Sequence, residues 1–397
     1  MNHPGHVPPS DDERRLRGWL RLARCQGIAL RHAAELARRA GGPEALAAPD
    51  ADDLRERGFP GETAVALTDP ALSRALDEEL ARTATAGWTL LDRDAPRYPP
   101  LLLELAVPPP VLAVRGDVGT LHADAAAIVG ARAATDYGQR AARILARDLA
   151  AAGIVVVSGL ARGVDAAAHR ATLDAGGRTV AVMGTGLDRV YPAEHRRLAD
   201  AIAAGGALVT EFAPRELPLT YHFPRRNRII AALSWAVVVV EANRTSGSLS
   251  TARWAAEQGR VVLAVPGRIG DPGSEGPLAL LRDGAPAATC GADVWTVFPA
   301  AARPPGRAPE EPAERAGGSS PRLPSGYPAS YERVLGALTG PDPVHLDRLV
   351  EAAQVSTEEA LAALFSLQLA GFAEALPGGR YRRPEASGRR GGPPGQV

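Results

Sequence analysis

Between residues 126 and 300, six short runs of β-branched and small apolar residues alternate with five helical patterns, and this alternation constrains the fold more than any other feature. The runs are 126–130 (AAIVG), 154–158 (IVVVS), 179–183 (TVAVM), 207–210 (ALVT), 236–240 (AVVVV) and 261–265 (VVLAV). Each has the length of a strand and no polar alternation, so both faces must be covered, as in a parallel sheet. Helical periodicity falls between them at 137–152, 165–175, 194–204, 226–233 and 249–258. Repeated strand–helix–strand units imply right-handed crossovers and a mostly parallel sheet with helices on both faces, hence an α/β fold.

Ligands of such sheets bind outside the strand C-termini, and the unusual residues of this chain stand there. Gly130-Ala131-Arg132 follows the first run, Ser158-Gly159-Leu160-Ala161-Arg162-Gly163-Val164-Asp165 the second and Gly184-Thr185-Gly186-Leu187-Asp188 the third. Glu241 closes the fifth, followed by Asn243-Arg244-Thr245-Ser246-Gly247-Ser248, and Pro266-Gly267-Arg268 follows the sixth. Free backbone N–H groups and the hydroxyls of Ser246 and Ser248, beside Gly247 and ahead of a helix, suit an anion. With Arg225, Arg226 and Arg228 just upstream, that anion is expected to be phosphate.

A groove for single-stranded nucleic acid needs cations along the backbone and flat side chains for stacking. Arg132, Arg162, Arg225, Arg226 and Arg228 supply the first, and Phe223, with Tyr221 and His222 beside it, the second. Asn227 and Arg228 open a helix whose apolar face is Ile229, Ile230 and Leu233, so either of them serves as a phosphate contact or braces the loops. Asp165 reads as a helix cap. His169, one turn later, reads as a structural residue, because no nucleophile stands at motif spacing for a general base. Glu211 and Glu241 read as loop-bracing partners for arginine in preference to a catalytic pair.

The chain has 397 residues, enough for two or three domains. Its forty-five basic residues are all arginine, so phosphates must be met by guanidinium forks. Residues 1–125 carry 15 arginines against 19 acids and residues 126–300 carry 19 against 15, which places any polyanion affinity in the middle of the chain. Cys25 and Cys290 form neither a disulfide framework nor a metal-ligand spacing. No metal and no cofactor is expected. Without an apolar leader or an eighteen-residue apolar run, the expectation is a soluble cytoplasmic protein that does not contact membrane.

Residues 1–10 are expected to be disordered, and 11–85 show helical periodicity in short pieces that reads as a small helical domain of SAM or helix-hairpin-helix type. A Pro-rich connector at 86–125 favours extended chain and leads into the core at 126–300. Residues 301–328 lack apolar periodicity and read as a flexible linker. Residues 329–384 give three helices and a turn at Pro377-Gly378-Gly379, the order of a winged helix, before a disordered tail at 385–397. The third of these helices begins Thr357-Glu358-Glu359-Ala360, which opposes phosphate contact and favours a protein-contact or regulatory role. Arg380, Arg382 and Arg383 in the wing argue the other way.

Four segments in order, SGLARGVDAAAH (Ser158 to His169), AVMGTGLDRVYP (Ala181 to Pro192), FPRRNRIIAALS (Phe223 to Ser234) and VVEANRTSGSLSTA (Val239 to Ala252), resemble the DprA/Smf family of DNA-processing proteins. The resemblance covers about 98–290 most strongly. It implies an extended Rossmann-like core, a homodimer through that core, and sequence-independent binding of single-stranded DNA without enzymatic turnover. It also implies protection of incoming strands and loading of RecA during natural transformation and recombination. The rim residues Arg132, Ser158, Gly159, Arg162, Gly163, Phe223, Arg225, Arg226, Asn227, Arg228, Ser246, Gly247 and Ser248 are the expected DNA contacts. The chain departs from the family pattern at Thr220, where lysine is usual, and at Gly276-Pro277-Leu278.

The principal alternative is a nucleotide-binding or nucleoside-monophosphate-processing enzyme in the same pocket, and a third class is a structural adaptor. Related Rossmann-like hydrolases carry a PGGxGTxxE segment, whereas ANRTSGSLSTA here lacks the acid. Gly184-Thr185-Gly186 lacks the third glycine of a dinucleotide fingerprint, and no Walker A pattern occurs.

Overall fold

A computed structural model describes residues 10–304, 328–338 and 343–383. The expected disordered N-terminus up to residue 9, the linker over 305–327 and the tail from 384 lie outside the described residues. The chain divides into two compact units, after Pro309.

The first unit is built on eight strands: β1 Thr89–Asp92, β2 Val111–Gly116, β3 Ala125–Val129, β4 Val155–Ser158, β5 Thr179–Val182, β6 Ala207–Thr210, β7 Ala236–Val239 and β8 Val261–Ala264. Their spatial order is β1-β2-β6-β5-β4-β3-β7-β8. From β6 across to β8 every pair is parallel, as the continuous apolar runs require. The connector adds a feature that prolines alone do not reveal: β2 pairs antiparallel with β6, and β1 antiparallel with β2. Pro108, Pro109 and Pro110 mark extended chain, but the ladder partner of β2 is too far away in sequence to be read from its own residues.

Helices α1 Asp11–Arg24, α2 Ala33–Ala40, α3 Ala51–Glu56, α4 Gly61–Thr68 and α5 Pro70–Thr85 precede the sheet. Their own core gathers Trp19, Leu20, Leu22, Leu46, Leu54, Leu67 and Leu76. Arg21 is buried within it and donates to the carbonyls of Leu67 and Ala47 and to Ser73 Oγ, at 2.6, 3.2 and 3.1 Å. Arg24 pins this bundle to the sheet, pairing with Glu79 and donating to the Glu211 carbonyl at 3.1 Å.

A short α6 (Pro100–Leu103) is followed by α7 Asp136–Ala151, α8 Val164–Asp174, α9 Arg196–Gly205, α10 His222–Ala232, α11 Ser248–Glu257, α12 Glu275–Arg282 and α13 Gly291–Thr296. One face of the sheet packs on α10 and α11 through Ile229, Ile230, Ala252 and Ala255. The other packs on α7, α8 and α13 through Leu145, Leu149, Val164 and Trp295. Because β3 lies between β4 and β7, the chain leaves β3 towards α7 and leaves β7 towards α11, on opposite faces. A crevice opens where those two exits diverge.

In the second unit α14 Ala329–Ala337, α15 Leu346–Ala353 and α16 Thr357–Leu369 pack around Val334, Leu349, Leu364 and Leu367, with a small sheet of β9 Val344–His345, β10 Glu374–Leu376 and β11 Arg380–Arg382. This is the expected winged helix, its turn made by Gly378 and Gly379 at positive φ. Leu361, Phe365 and Leu369 of α16, four residues apart, are exposed.

Candidate functional site

The crevice at the ends of β3 and β7 has a volume of about 750 Å³ and is walled by the loops after β3, β4 and β7, the start of α10, and Tyr191. Its floor depends on glycine. A Cβ on Gly163, whose φ is 72°, would lie 2.2 Å from the Ala131 carbonyl oxygen, so the loops after β3 and β4 meet backbone to backbone. Asp165 Oδ2 accepts from the Gly159 and Ala161 N–H groups at 3.1 and 3.2 Å, folding the loop over its own helix start. Burial pushes the Asp165 carboxyl up, opposed by the Arg226 guanidinium and these N–H donors.

Arg226 is buried. It donates to the Gly159 carbonyl at 2.7 Å and to the Val182 carbonyl, and so ties the exits of β4 and β5 together. Desolvation pulls its guanidinium down to about 10, against the attraction of Asp165. Arg228 is also buried, donating to the Val107 carbonyl at 2.8 Å and pairing with Glu211. Glu211 in turn accepts from Arg225 at 2.9 Å, while Arg225 lies over the Phe212 ring at 5.1 Å and stays half-exposed. Asn227 donates to the Gly247 carbonyl and Ser250 Oγ at 3.1 and 2.7 Å, holding the Ser/Gly loop to α10.

Helix phase explains the burial of Arg226, and the segment at Val107 covers Arg228. The expected start of the helix at 226 moves to His222, because Pro224 in the first turn has no N–H to lose. His222, Arg226, Ile229, Ile230 and Leu233 then share the buried face, while Phe223, in the first turn above Ile230, and Arg225 stay half-exposed at the open end. His222 stacks on Phe212 at 4.1 Å and is spent in the packing, whereas Tyr221 stays exposed.

The open side of the crevice carries aromatic rings and guanidinium. Phe223 rests on Gly184, where a Cβ would come within 2.9 Å of the ring, and faces Tyr191 at 5.6 Å. Arg132 lies over the Phe223 ring at 5.2 Å, exposed and without an ion pair among the described residues. Arg162 is exposed and pairs through two hydrogen bonds with Glu194. Ser246 and Ser248 share a hydrogen bond of 2.7 Å beside Gly247, and Thr220 stands exposed on the same wall.

The remaining residues lie deeper. Ser158 donates to the Ile128 carbonyl at 2.6 Å and is fully buried. Glu241 accepts from the Thr135 backbone N–H at 2.9 Å and from its hydroxyl, at the start of α7. His169 meets the Thr179 hydroxyl at 2.7 Å, and that hydroxyl donates to the Val156 carbonyl, so His169 Nδ1 is the donor. Burial depresses this imidazole to about 3 and keeps it neutral. Sequence reasoning missed Tyr191 and Glu194. The aromatic residue before Pro192, just past the Gly184–Gly186 turn, was the available signal for the first, and nothing local marked the second.

Fold and crevice define a class: a doubly wound α/β protein with an arginine- and aromatic-rimmed crevice at the switch point of its sheet, followed by a winged helix. The chain belongs to the DprA/Smf family. The family model for DNA recombination-mediator protein A matches residues 89–299, and that for the DprA winged helix domain matches 302–379. Protein Smf of Escherichia coli (strain K12) is 40% identical over 310 residues, spanning 78% of this chain and 81% of that protein. DNA processing protein DprA of Bacillus subtilis (strain 168) is 40% identical over 225 residues, 56% of this chain and 76% of the other. The X-ray structure of DprA from Streptococcus pneumoniae superposes with a TM-score of 0.63 at 33% identity, covering 71% of this chain and 98% of that one. No helix among the described residues is long and apolar enough to cross a membrane.

Proposed function

We propose that this chain binds single-stranded DNA independently of sequence in the crevice above β3 and β7, and does so without chemical turnover. The observation that carries the reading is the exposed Arg132 guanidinium stacked on Phe223, with Tyr191 as a second ring beside it. An unpaired cation over a stack of rings suits a phosphate with its neighbouring base. Arg132, Arg162, Arg225 and Phe223 are the contacts we assign, together with the loop Ser246-Gly247-Ser248. Ser158, Asp165, His169, Asn227, Arg226, Arg228, Glu211 and Glu241 hold that surface in shape, with Gly159 and Gly163 allowing its close approaches. By analogy with the family we extend the proposal to a homodimer through the core, a cytoplasmic location, protection of incoming strands and delivery to RecA.

The test is a salt titration of single strands against duplex, with nucleoside monophosphates incubated in parallel. Three arginine–phosphate contacts correspond to a slope of log K on log salt near −2, at about 0.7 per contact on single strands. Duplex should bind more weakly, and the monophosphates should be recovered intact. Preference for duplex, or hydrolysis of the monophosphates, would sink the reading.

A further inference from the structure

We propose that Glu194 is an exchangeable stand-in for phosphate, occupying the guanidinium fork of Arg162 until a strand displaces it. The inference rests on the reading of the crevice as a single-strand site.

Arg162 lies between Ala161, which lines the crevice, and Gly163, which packs against the backbone of Ala131 and Arg132. Its Nε and Nη2 donate to the two Glu194 oxygens at 2.6 and 2.7 Å. A phosphate takes a guanidinium through the same two-pronged geometry, so carboxylate and phosphate compete for one fork. Glu194 also stands three residues after Tyr191, and a strand stacked on the Tyr191 and Phe223 rings passes beside the pair.

The contrast with Glu211 shows why this pair can open. Glu211 is buried and serves both Arg225 and Arg228, so its departure would leave the buried Arg228 without a carboxylate. Glu194 and Arg162 are exposed on both sides, at 54% and 58%, and the hydrogen bonds of the Glu194 carboxylate go to Arg162 alone among the described residues. Each partner favours the charged form of the other, chiefly through the hydrogen bonds, and either can be rehydrated when they separate. A mononucleotide must displace Glu194 with its one phosphate, whereas a strand spreads that cost over several contacts. Both ligands are weakened by the same factor, and only the strand has further contacts to offset it.

Glu194→Gln keeps the shape and removes the charge. We expect it to bind an oligothymidine roughly two- to fivefold more tightly than the parent at low salt, the range of an exposed ion pair. We further expect thymidine monophosphate to become a better competitor by a similar factor. In an Arg162→Ala background the same substitution should leave affinity nearly unchanged. An equal gain in both backgrounds would mark a general field effect, and either that result or no gain at all overturns the exchange. A parent protein that binds no single strands overturns the reading of the crevice, and this inference with it.

Discussion

Phe223 is the residue on which the site turns. Its ring is half-buried, supported by Gly184 and met by Arg132 and Tyr191. Phe223→Leu preserves most of the apolar volume and removes the π-face, so stacking is separated from packing. Base stacking on an aromatic side chain contributes about 1–3 kcal/mol, and roughly a five- to hundredfold loss of single-strand affinity is expected, with the salt slope kept. Melting temperature should scarcely move. A collapse in stability with normal binding by the folded fraction would make Phe223 a core residue instead. The arginines teach a different lesson. Arg132, Arg162, Arg225, Arg226 and Arg228 look alike as letters, yet Arg226 and Arg228 are buried among carbonyls and carboxylates, and Arg225 and Arg162 are paired. On α10, helix phase carries Arg226 inward, while Arg228, one turn after Arg225 on the same side, is covered by the segment at Val107.

At the scale of elements, the loop between β4 and α8 is the most constrained part of the rim. Gly163 is its pivot, with φ at 72° and the Ala131 carbonyl where a Cβ would stand. Gly163→Ala combines an unfavourable backbone conformation with a clash against backbone, at a cost of about 2–4 kcal/mol. Denaturant unfolding should show that loss, and the folded fraction should bind single strands more weakly because Arg132 and Arg162 flank the displaced contact. Unchanged stability would mean that the loops separate at little cost. The six parallel strands were legible because burial on both faces removes polar residues from them, and the crossover helices followed from amphipathic spacing. β1 and β2 were not legible as sheet partners. An antiparallel strand at the end of a sheet is defined by its neighbour, and the neighbour of β2 is β6. The crevice itself was legible as a set of strand exits, whereas the aromatic pair was half seen, since Tyr191 reaches Phe223 only through the fold.

For the whole molecule, the first unit contains every strand of the large sheet and all the residues of the crevice. Deleting residues 305–397 is therefore expected to leave a folded protein that binds single strands with the parent's salt slope. A truncated protein that stays folded by circular dichroism but loses most affinity would make the winged helix a DNA-binding module, against the acidic start of α16 at Glu358 and Glu359. The position of β2 in the sheet also bears on synthesis. β1 precedes it, but its other ladder partner β6 is encoded roughly 90 residues later, so at about 5–20 residues per second the second edge of β2 waits some 5–20 s to be paired. During that interval an apolar strand edge stands open beside an already foldable helical bundle. A stop codon placed before position 207 would release such a chain permanently, and the product would be a substrate for chaperones and proteases.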